Sequence, residues 1–505
     1  MNYILLTIMP FASIALYAGN RGTTQTEAGA WESPWKTCSN YFEYNPSATF
    51  SVPAPGYAII GTSYSTSKAD KGFYQAQEGN GSSAFQIHTE SFHQESKQSF
   101  FGEANFIRDQ KNNVQWRDVE DASLLSPYLI ADSIGGDYRR EAYTMGGGTS
   151  FRCNQWEYGI RGEYEGGVSY RKVDPRPLNT VSIIRINPGI TFSTGNWKYG
   201  WFGRYERYRQ NIDINVEKSD RKVYFYLLQG FGTYNKQFSE LSETYNRIYK
   251  GNEYATGFHI NYLGEKQATG GLISLRRGVY EASESDKRTP YSITHNGIKA
   301  EFTHERSLLD QTLFLNGQYG FHQVIGNETQ YYPTIINTSF VIWNFATQSD
   351  RYQSRNQNAR ISALLADKDL SKFSIWEQIE GNWQDNKQYY YTPDYHQYIQ
   401  DLCGSASIGF HKPLAKSSLE GSIKAGYKKV LSSSLLQNEN NVITTRVILP
   451  DYAFLTTDYA FYQFHLRVRF RLSPSILANF SMGGGLQKAK NQQSYFTTAC
   501  MALNF

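Results

Sequence analysis

The chain has 505 residues, a net charge of only +4, 15% aromatic residues with 39 Tyr and 9 Trp, and 42 Gly against 15 Pro. So small a charge excludes a nucleic-acid partner on electrostatic grounds, and no apolar run of about 18 residues follows the N-terminus, which excludes helical membrane spans. Cys38, Cys153, Cys403 and Cys500 contain no CxxC pair, so neither a zinc site, a redox motif nor a disulfide framework is expected.

In chain order, "MNYILLTIMPFASIALYAGN" combines an apolar stretch with small residues at Ser13, Ala15 and Ala18, which reads residues 1–18 as a signal peptide, although no Lys or Arg precedes the stretch. Residues 19–56 are then a periplasmic N-terminal segment, and residues 57–505 carry one repeating pattern. "QWEYGIRGEYEGGVSYRK" puts Trp156, Tyr158, Ile160 and Tyr164 on one face and Glu157, Arg161, Glu163 and Glu165 on the other, as a strand does. "NWKYGWFGRYER" repeats it with Trp197, Trp201 and Tyr205 against Lys198, Arg204 and Glu206. "SLEGSIKAGYKK" sets Ile423 and Tyr427 against Glu420 and Lys424, and "FYQFHLRVRFRLSPS" sets Phe464, Leu466 and Val468 against His465, Arg467, Arg469 and Arg471.

Eighteen such segments, within a range of 14 to 18, begin near Tyr57, Phe85, Phe100, Glu141, Trp156, Val181, Trp197, Tyr254, Ala268, Ile293, Leu313, Ala359, Phe373, Leu402, Ser418, Tyr459, Ile476 and Tyr495. Tight links such as "STGN" and "LGEKQ" alternate with long ones, including about 30 residues from Gln110, about 45 from Arg209 and about 30 from Gly326. Together with strand glycines and aromatic strand ends, this predicts an all-β chain. Its form is a closed antiparallel transmembrane β-barrel of the bacterial outer membrane, with short periplasmic turns, long extracellular loops and both termini periplasmic. The apolar faces would meet lipid. Glu157, Arg161, Glu163, Arg204, Glu206, Lys424, His465, Arg467, Arg469 and Arg471 would line a wet lumen, either as a selectivity ladder or as mutually satisfied pairs that stiffen the wall. Glu377 falls on the lipid face of "FSIWEQIEGNW", and "ATGGLISLRRG" shows no clear register, departures that a bulge or a shifted boundary would explain. The final segment "SYFTTACMALNF" alternates up to Phe505, like the C-terminal assembly signal of bacterial outer-membrane barrels.

Two further stretches, "SPYLIADSIGGDYRREAY" (Ser126 to Tyr143) and "DPRPLN" (Asp174 to Asn179) followed by "SIIRINPGITFS", resemble a family of uncharacterised outer-membrane β-barrel proteins of Bacteroidota. The resemblance runs from about Ala58 to Phe505 and is clearest between Phe101 and Phe192. It implies a fold and a compartment, and no activity. Members carry an "LW" pair in a short N-terminal segment, whereas "AGAWESPWKTCSNYF" has Trp31 and Trp35 without it.

The loop "VQWRDVEDASLLSPYLIADSIGGDYRRE" is apolar at Leu124, Leu125, Tyr128, Leu129 and Ile130, which predicts that it folds into the lumen. Trp116, Asp118, Asp132, Asp137 and Arg176 are then ligand-contact candidates, with plain packing as the competing reading. "DSIGGD" lacks calcium-loop spacing, so no metal is expected, and no cofactor either. Tyr389, Tyr390, Tyr391, Tyr395 and Tyr398 form either a sugar-stacking platform or a membrane-interface girdle. His259, His295, His411 and His465 have no Ser and Asp partners in register, so no catalytic residue and no enzyme is expected. With about 40 residues before the first strand, a plug domain of the kind energised receptors carry is not expected.

The expected function is a pore or ligand-binding channel for small polar solutes, acting alone or beside a transporter. The alternative is a non-transporting accessory barrel that docks a partner through its loops. The expected partners are outer-membrane lipid, the barrel-assembly machinery and a neighbouring transporter or lipoprotein.

Overall fold

The computed structural model describes residues 44–51, 56–70, 72–217, 223–239, 245–284, 288–337, 340–437 and 440–505. The expected signal peptide and most of the segment before the barrel, with Trp31, Trp35 and Cys38, lie outside them. The strands are β1 Gly56–Ala69, β2 Gly81–Gln94, β3 Gln98–Val114, β4 Ile130–Asp132, β5 Gly136–Cys153, β6 Trp156–Arg171 and β7 Arg176–Thr194. Next come β8 Trp197–Asn215, β9 Val223–Gly230, β10 Thr233–Ser239, β11 Tyr245–Leu263, β12 Gln267–Glu284, β13 Tyr291–Ser307 and β14 Gln311–Asn337. The last are β15 Phe340–Asp367, β16 Ser374–Tyr391, β17 Asp394–Pro413, β18 Ser417–Leu436, β19 Tyr459–Ser473, β20 Ile476–Ala489 and β21 Gln492–Asn504.

All of these except β4, β9 and β10 form one 18-stranded antiparallel sheet. β1 pairs with β2 on one side and with β21 on the other, so the sheet closes on itself. Phe505 extends the seam. Its amide donates to the Ala58 carbonyl at 2.8 Å, and Ala58 N–H returns a bond at 3.2 Å. Closure leaves no strand edge open to hydrocarbon, which is the condition for a sheet to span a bilayer.

Outside the wall, Ile160, Ile184, Ile273, Ile361, Ile379, Phe464 and Met482 are exposed, with Trp156, Trp197, Phe373 and Leu472 beside the short turns. Tyr64, Tyr143, Tyr164, Tyr254, Tyr319, Tyr427, Tyr462 and Tyr495 form a second exposed belt. It stands about nine residues further along each strand, roughly 23 Å at the usual tilt, which is the height of an outer-membrane apolar band.

Three details depart from the sequence expectation. Connections at the second mouth are not uniformly long, because β6–β7, β16–β17 and β20–β21 turn tightly there. The stretch after Gly326 is not a loop, since β14 and β15 stay paired to Asn337 opposite Phe340. Glu377 and Arg277 involve neither a bulge nor a boundary error: β12 and β16 pair in unbroken register and both side chains face outward. Each lies near one edge of the apolar band, where a long side chain reaches headgroups and water.

The lumen is filled from both ends. At the short-turn end a 3₁₀ helix, Pro46–Ser51, lies against β5, β6, β7 and β8. Asn45 Nδ2 donates to Thr191 Oγ1 at 3.2 Å and lies 3.0 Å from His259 Nε2, while Ser150 Oγ donates to the Pro46 carbonyl. The wall is glycine where this segment touches it: a Cβ on Gly159 would stand 2.4 Å from Ser47 N, and one on Gly189 would overlap Asn45 Oδ1. Gly189→Val should therefore displace residues 45–47 and cost about 1–3 kcal/mol, read as a lower urea midpoint for loss of the heat-modifiable folded band.

Candidate functional site

At the other end, residues 115–135 turn into the lumen, as the apolar run in that loop predicts. Leu125, Tyr128, Leu129 and Ile130 of this loop, which includes the short helix α1 (Ala122–Leu125), are buried against Ile212, Ile214, Tyr249, Tyr280 and Ile293 of the inner wall. β4 adds a third strand to the β9–β10 hairpin, forming a small sheet inside the barrel. Tyr249 Oη donates to the Tyr128 carbonyl at 2.9 Å, and the Tyr128 ring stacks on Tyr291 at 4.5 Å. His295 Nε2 lies 2.9 Å from the Leu124 carbonyl, and its other nitrogen lies 3.0 Å from His322.

The loop candidates divide. Trp116, Asp118 and Asp132 are buried and occupied with packing, which leaves them no surface for a solute. Trp116 packs edge-on against Tyr226. Arg171 bridges the two carboxylates, Nη2 to Asp132 at 2.5 Å and Nη1 to Asp118 at 3.4 Å, and Tyr138 Oη donates to Asp118 at 2.9 Å. Burial and the neighbouring Asp132 push the Asp118 carboxyl well above the usual range, against the pull of Arg171. Asp137 is exposed and accepts from Asn113 N–H, and Arg176 pairs with Asp174 and Glu217.

A second latch was not foreseen. Glu78, in the loop after β1, pairs with Lys111 at 2.8 Å and Arg117 at 2.7 Å. Burial alone would raise this carboxyl, but the two cations override it and hold it below the usual range. The same loop meets the helix α2 (Leu449–Leu455): Ala76 N–H donates to Asp451 Oδ1 at 2.9 Å, and Phe73 packs on Phe454. Burial raises Asp451 to about 7, with Glu78 adding to the rise and the Ala76 N–H opposing it. Residue type gave no hint of the Ala76–Asp451 contact, because its partners are 375 positions apart.

Beneath this roof is a lumen cavity of about 260 Å³. Its lining carries the hydroxyls and amides of Ser65, Ser67, Gln463, Ser481, Gln487 and Ser494, together with Glu78, Lys111, Lys424 and His465. Further round the wall, β3 to β8 are ionic. Arg161 pairs with Glu103 and with Glu163 (3.0 Å), Arg185 joins Glu163 to Glu206 (2.7 Å), and Arg204 also reaches Glu206 (2.6 Å). Gly146, between Glu103 and Glu163 across β5, leaves room for this reach: a Cβ there would stand 3.1 Å from Glu103 Oε1.

Glu157 is held by Arg152 at 2.7 Å, and Lys424 lies 3.7 Å from Glu380. Arg467 and Arg469 face the axis and share Glu420 at 3.5 and 3.0 Å, with His411 on the same carboxylate. His465 and Arg471 share their face of β19. The lining thus combines self-neutralising ion pairs on β3 to β8 and on β18–β19 with a run of hydroxyls and amides on β1 and β19 to β21. Of the Tyr389–Tyr398 group, Tyr390 and Tyr395 are buried with Phe231 and Tyr352, and Tyr391 is exposed.

Residues 46–505 match a family of unknown function, DUF6850. The chain belongs to this family. No curated protein matches it in sequence. Among solved structures this DUF6850 member is similar to the ferric preacinetobactin receptor BauA from Acinetobacter baumannii, with 9% identity, 88% of this chain and 80% of that chain covered, and TM-score 0.38. It is likewise similar to the ferric citrate transporter FecA in its unliganded form (9%, 89% and 78%, 0.39) and to the copper transporter OprC (7%, 88% and 80%, 0.42).

Two outcomes follow from the latches. Arg171→Met leaves Asp118 and Asp132 buried without their cation, so the inward loop should lose about 3–5 kcal/mol, measured as faster limited proteolysis within residues 115–135. For Asp451, the packed state binds the proton more tightly than a solvated carboxyl of pKa about 4 does. Docking of α2 on residues 72–79 is therefore firmest below about pH 4 and weakens as pH rises through about 7. Hydrogen-exchange protection in both segments, taken relative to the intrinsic base-catalysed rate at each pH, should fall between pH 5 and 8, and Asp451→Asn should flatten that response.

Proposed function

We propose that this protein is an outer-membrane channel that binds and admits small, polar, mostly uncharged solutes, and that its own inward loops hold the mouth shut at rest. One observation carries the reading: inward loops close one end of the barrel, and residues 73–81 with Phe454 roof a cavity whose wall offers mainly hydroxyls and amides, with Lys111, Lys424, Glu78 and His465 beside them. Such a wall exchanges hydrogen bonds with a hydroxylated solute, while the charges of β3 to β8 are paired with one another and set only a weak field. In this reading the long connections face the cell surface, both termini face the periplasm, and the source is a bacterium of the Bacteroidota. A neighbouring transporter or lipoprotein supplies the force that moves the plug, and the barrel-assembly machinery inserts the chain.

The reading includes no catalysis. His259, His295 and His411 hold Asn45, Leu124 and Glu420, respectively, and serve the architecture.

One feature favours the accessory alternative. The β14–β15 hairpin rises beyond its neighbours and exposes Tyr332, Ile335, Val341 and Phe345, an apolar surface suited to a protein partner.

Conductance in a planar bilayer separates the two readings. The full chain should give small or rare steps, and replacing residues 117–133 by a short Gly-Ser linker should give large, stable ones. Silence from both proteins, with the folded barrel intact on gels, would favour the accessory role.

A further inference from the structure

In the outer tyrosine belt and just beyond it, on the outward face, the arc from β8 to β16 carries Arg277 in the belt row and Arg207, Arg209, Lys250, Arg355 and Lys387 above it. The strand register makes two of the contacts like-charged: Arg209 stands directly opposite Lys250, and Arg355 directly opposite Lys387. Cross-strand partners lie about 5 Å apart at Cβ, where like charges oppose pairing. Internal compensation is thin. Lys250 has Glu281 at 3.4 Å and Lys387 has Asp385 at 3.4 Å, so six cations face two carboxylates on this arc. Arg207, Arg277 and Arg355 make no ion pair among the described residues. The contrast with the lumen is direct, since there the arginines are woven between glutamates on adjacent strands.

The position decides the ligand. Tyr254 stands opposite Tyr205 and Arg277, in the row where the apolar band ends. Side chains one or two positions above it meet lipid headgroups and not bulk solvent. We infer that this outward arc is a binding surface for phosphate-bearing membrane lipid, with the anionic headgroups bridging Arg209 to Lys250 and Arg355 to Lys387 and relieving the repulsion built into the register. Arginine suits the task because its planar fork takes two phosphate oxygens at once, and a desolvated headgroup site strengthens each contact. The inference is independent of the channel reading, because the arc faces lipid and not the lumen.

Native mass spectrometry of the full-length protein in neutral detergent tests it, using dioleoyl phosphatidic acid and dioleoylglycerol, which share acyl chains and differ by the phosphate. Wild type should retain phosphatidic acid roughly tenfold better than dioleoylglycerol, and the preference should shrink as salt is raised. The variant R209Q/K250Q/R355Q/K387Q should lose that preference while keeping the heat-modifiable folded band. R355Q/K387Q alone should lose part of it, which keeps the test alive should the fourfold variant fail to fold. Equal retention of the two lipids by wild type, or an undiminished preference in R355Q/K387Q, would overturn the inference. So would displacement of phosphatidic acid by millimolar inorganic phosphate, which would mark a simple ion site.

Discussion

The structure depends on the pairing of β1 with β21. A backbone amide in hydrocarbon has no water to turn to, so the chain must bring its ends together and the sheet must have no edge. The strands between the ends are then obliged to present one face to lipid and the other to the lumen, and the two-residue period of the sequence follows from that obligation. The barrel also encloses more space than side chains of one layer can fill, and the chain fills it with its own segments: Tyr44–Ser51 at one mouth, and residues 72–80, 115–135, β9–β10 and 440–458 at the other.

The two closures use different physics. At the short-turn end the N-terminal segment is seated by close backbone approach, with Gly159 and Gly189 giving up side-chain volume to it and Asn45 satisfying polar groups. At the other end the plug combines a buried apolar cluster with a buried Asp–Arg–Asp bridge. A bridge of that kind adds little net stability but penalises any arrangement that separates its members. It therefore favours one closed geometry over a range of loose ones. The Glu78 and Asp451 contacts tie two further segments to the same geometry, and Asp451 makes that tie sensitive to protons near neutrality.

The wall was legible in the sequence because its signal repeats. Phe464, Leu466 and Val468 against Arg467 and Arg469 state the inside and outside of one strand, and seventeen other strands state the same alternation. Glu377 on the lipid face and the unclear register of "ATGGLISLRRG" share one cause: alternation carries no information on depth, and near the edge of the band a charge such as Glu377 or Arg277 is tolerated. The lumen contents were less legible. Trp116, Asp118 and Asp132 have the composition of a binding site and of a lock alike, and only the approach of Arg171, from a strand 39 positions after Asp132, separates the two. The segment at Asn45 left a trace, the glycines at 159 and 189 on inward positions of neighbouring strands, but a glycine in a barrel strand has several other uses.

The β14–β15 ribbon follows from the same pairing rules. β13 accompanies β14 only as far as Glu328, and beyond that point the two long strands have only each other. An isolated two-stranded ribbon is marginal, and here it is braced at its foot by Arg288 over the Trp343 ring at 4.0 Å and by Tyr331 bonding to Thr289. At about 3.3 Å per residue, the nine or so unaccompanied positions of β14 extend roughly 30 Å along the strand, or roughly 23 Å of height at the usual tilt. A mast of that height on one side of the mouth makes approach lopsided, so a molecule that comes to this mouth from that side meets the ribbon before it reaches the opening.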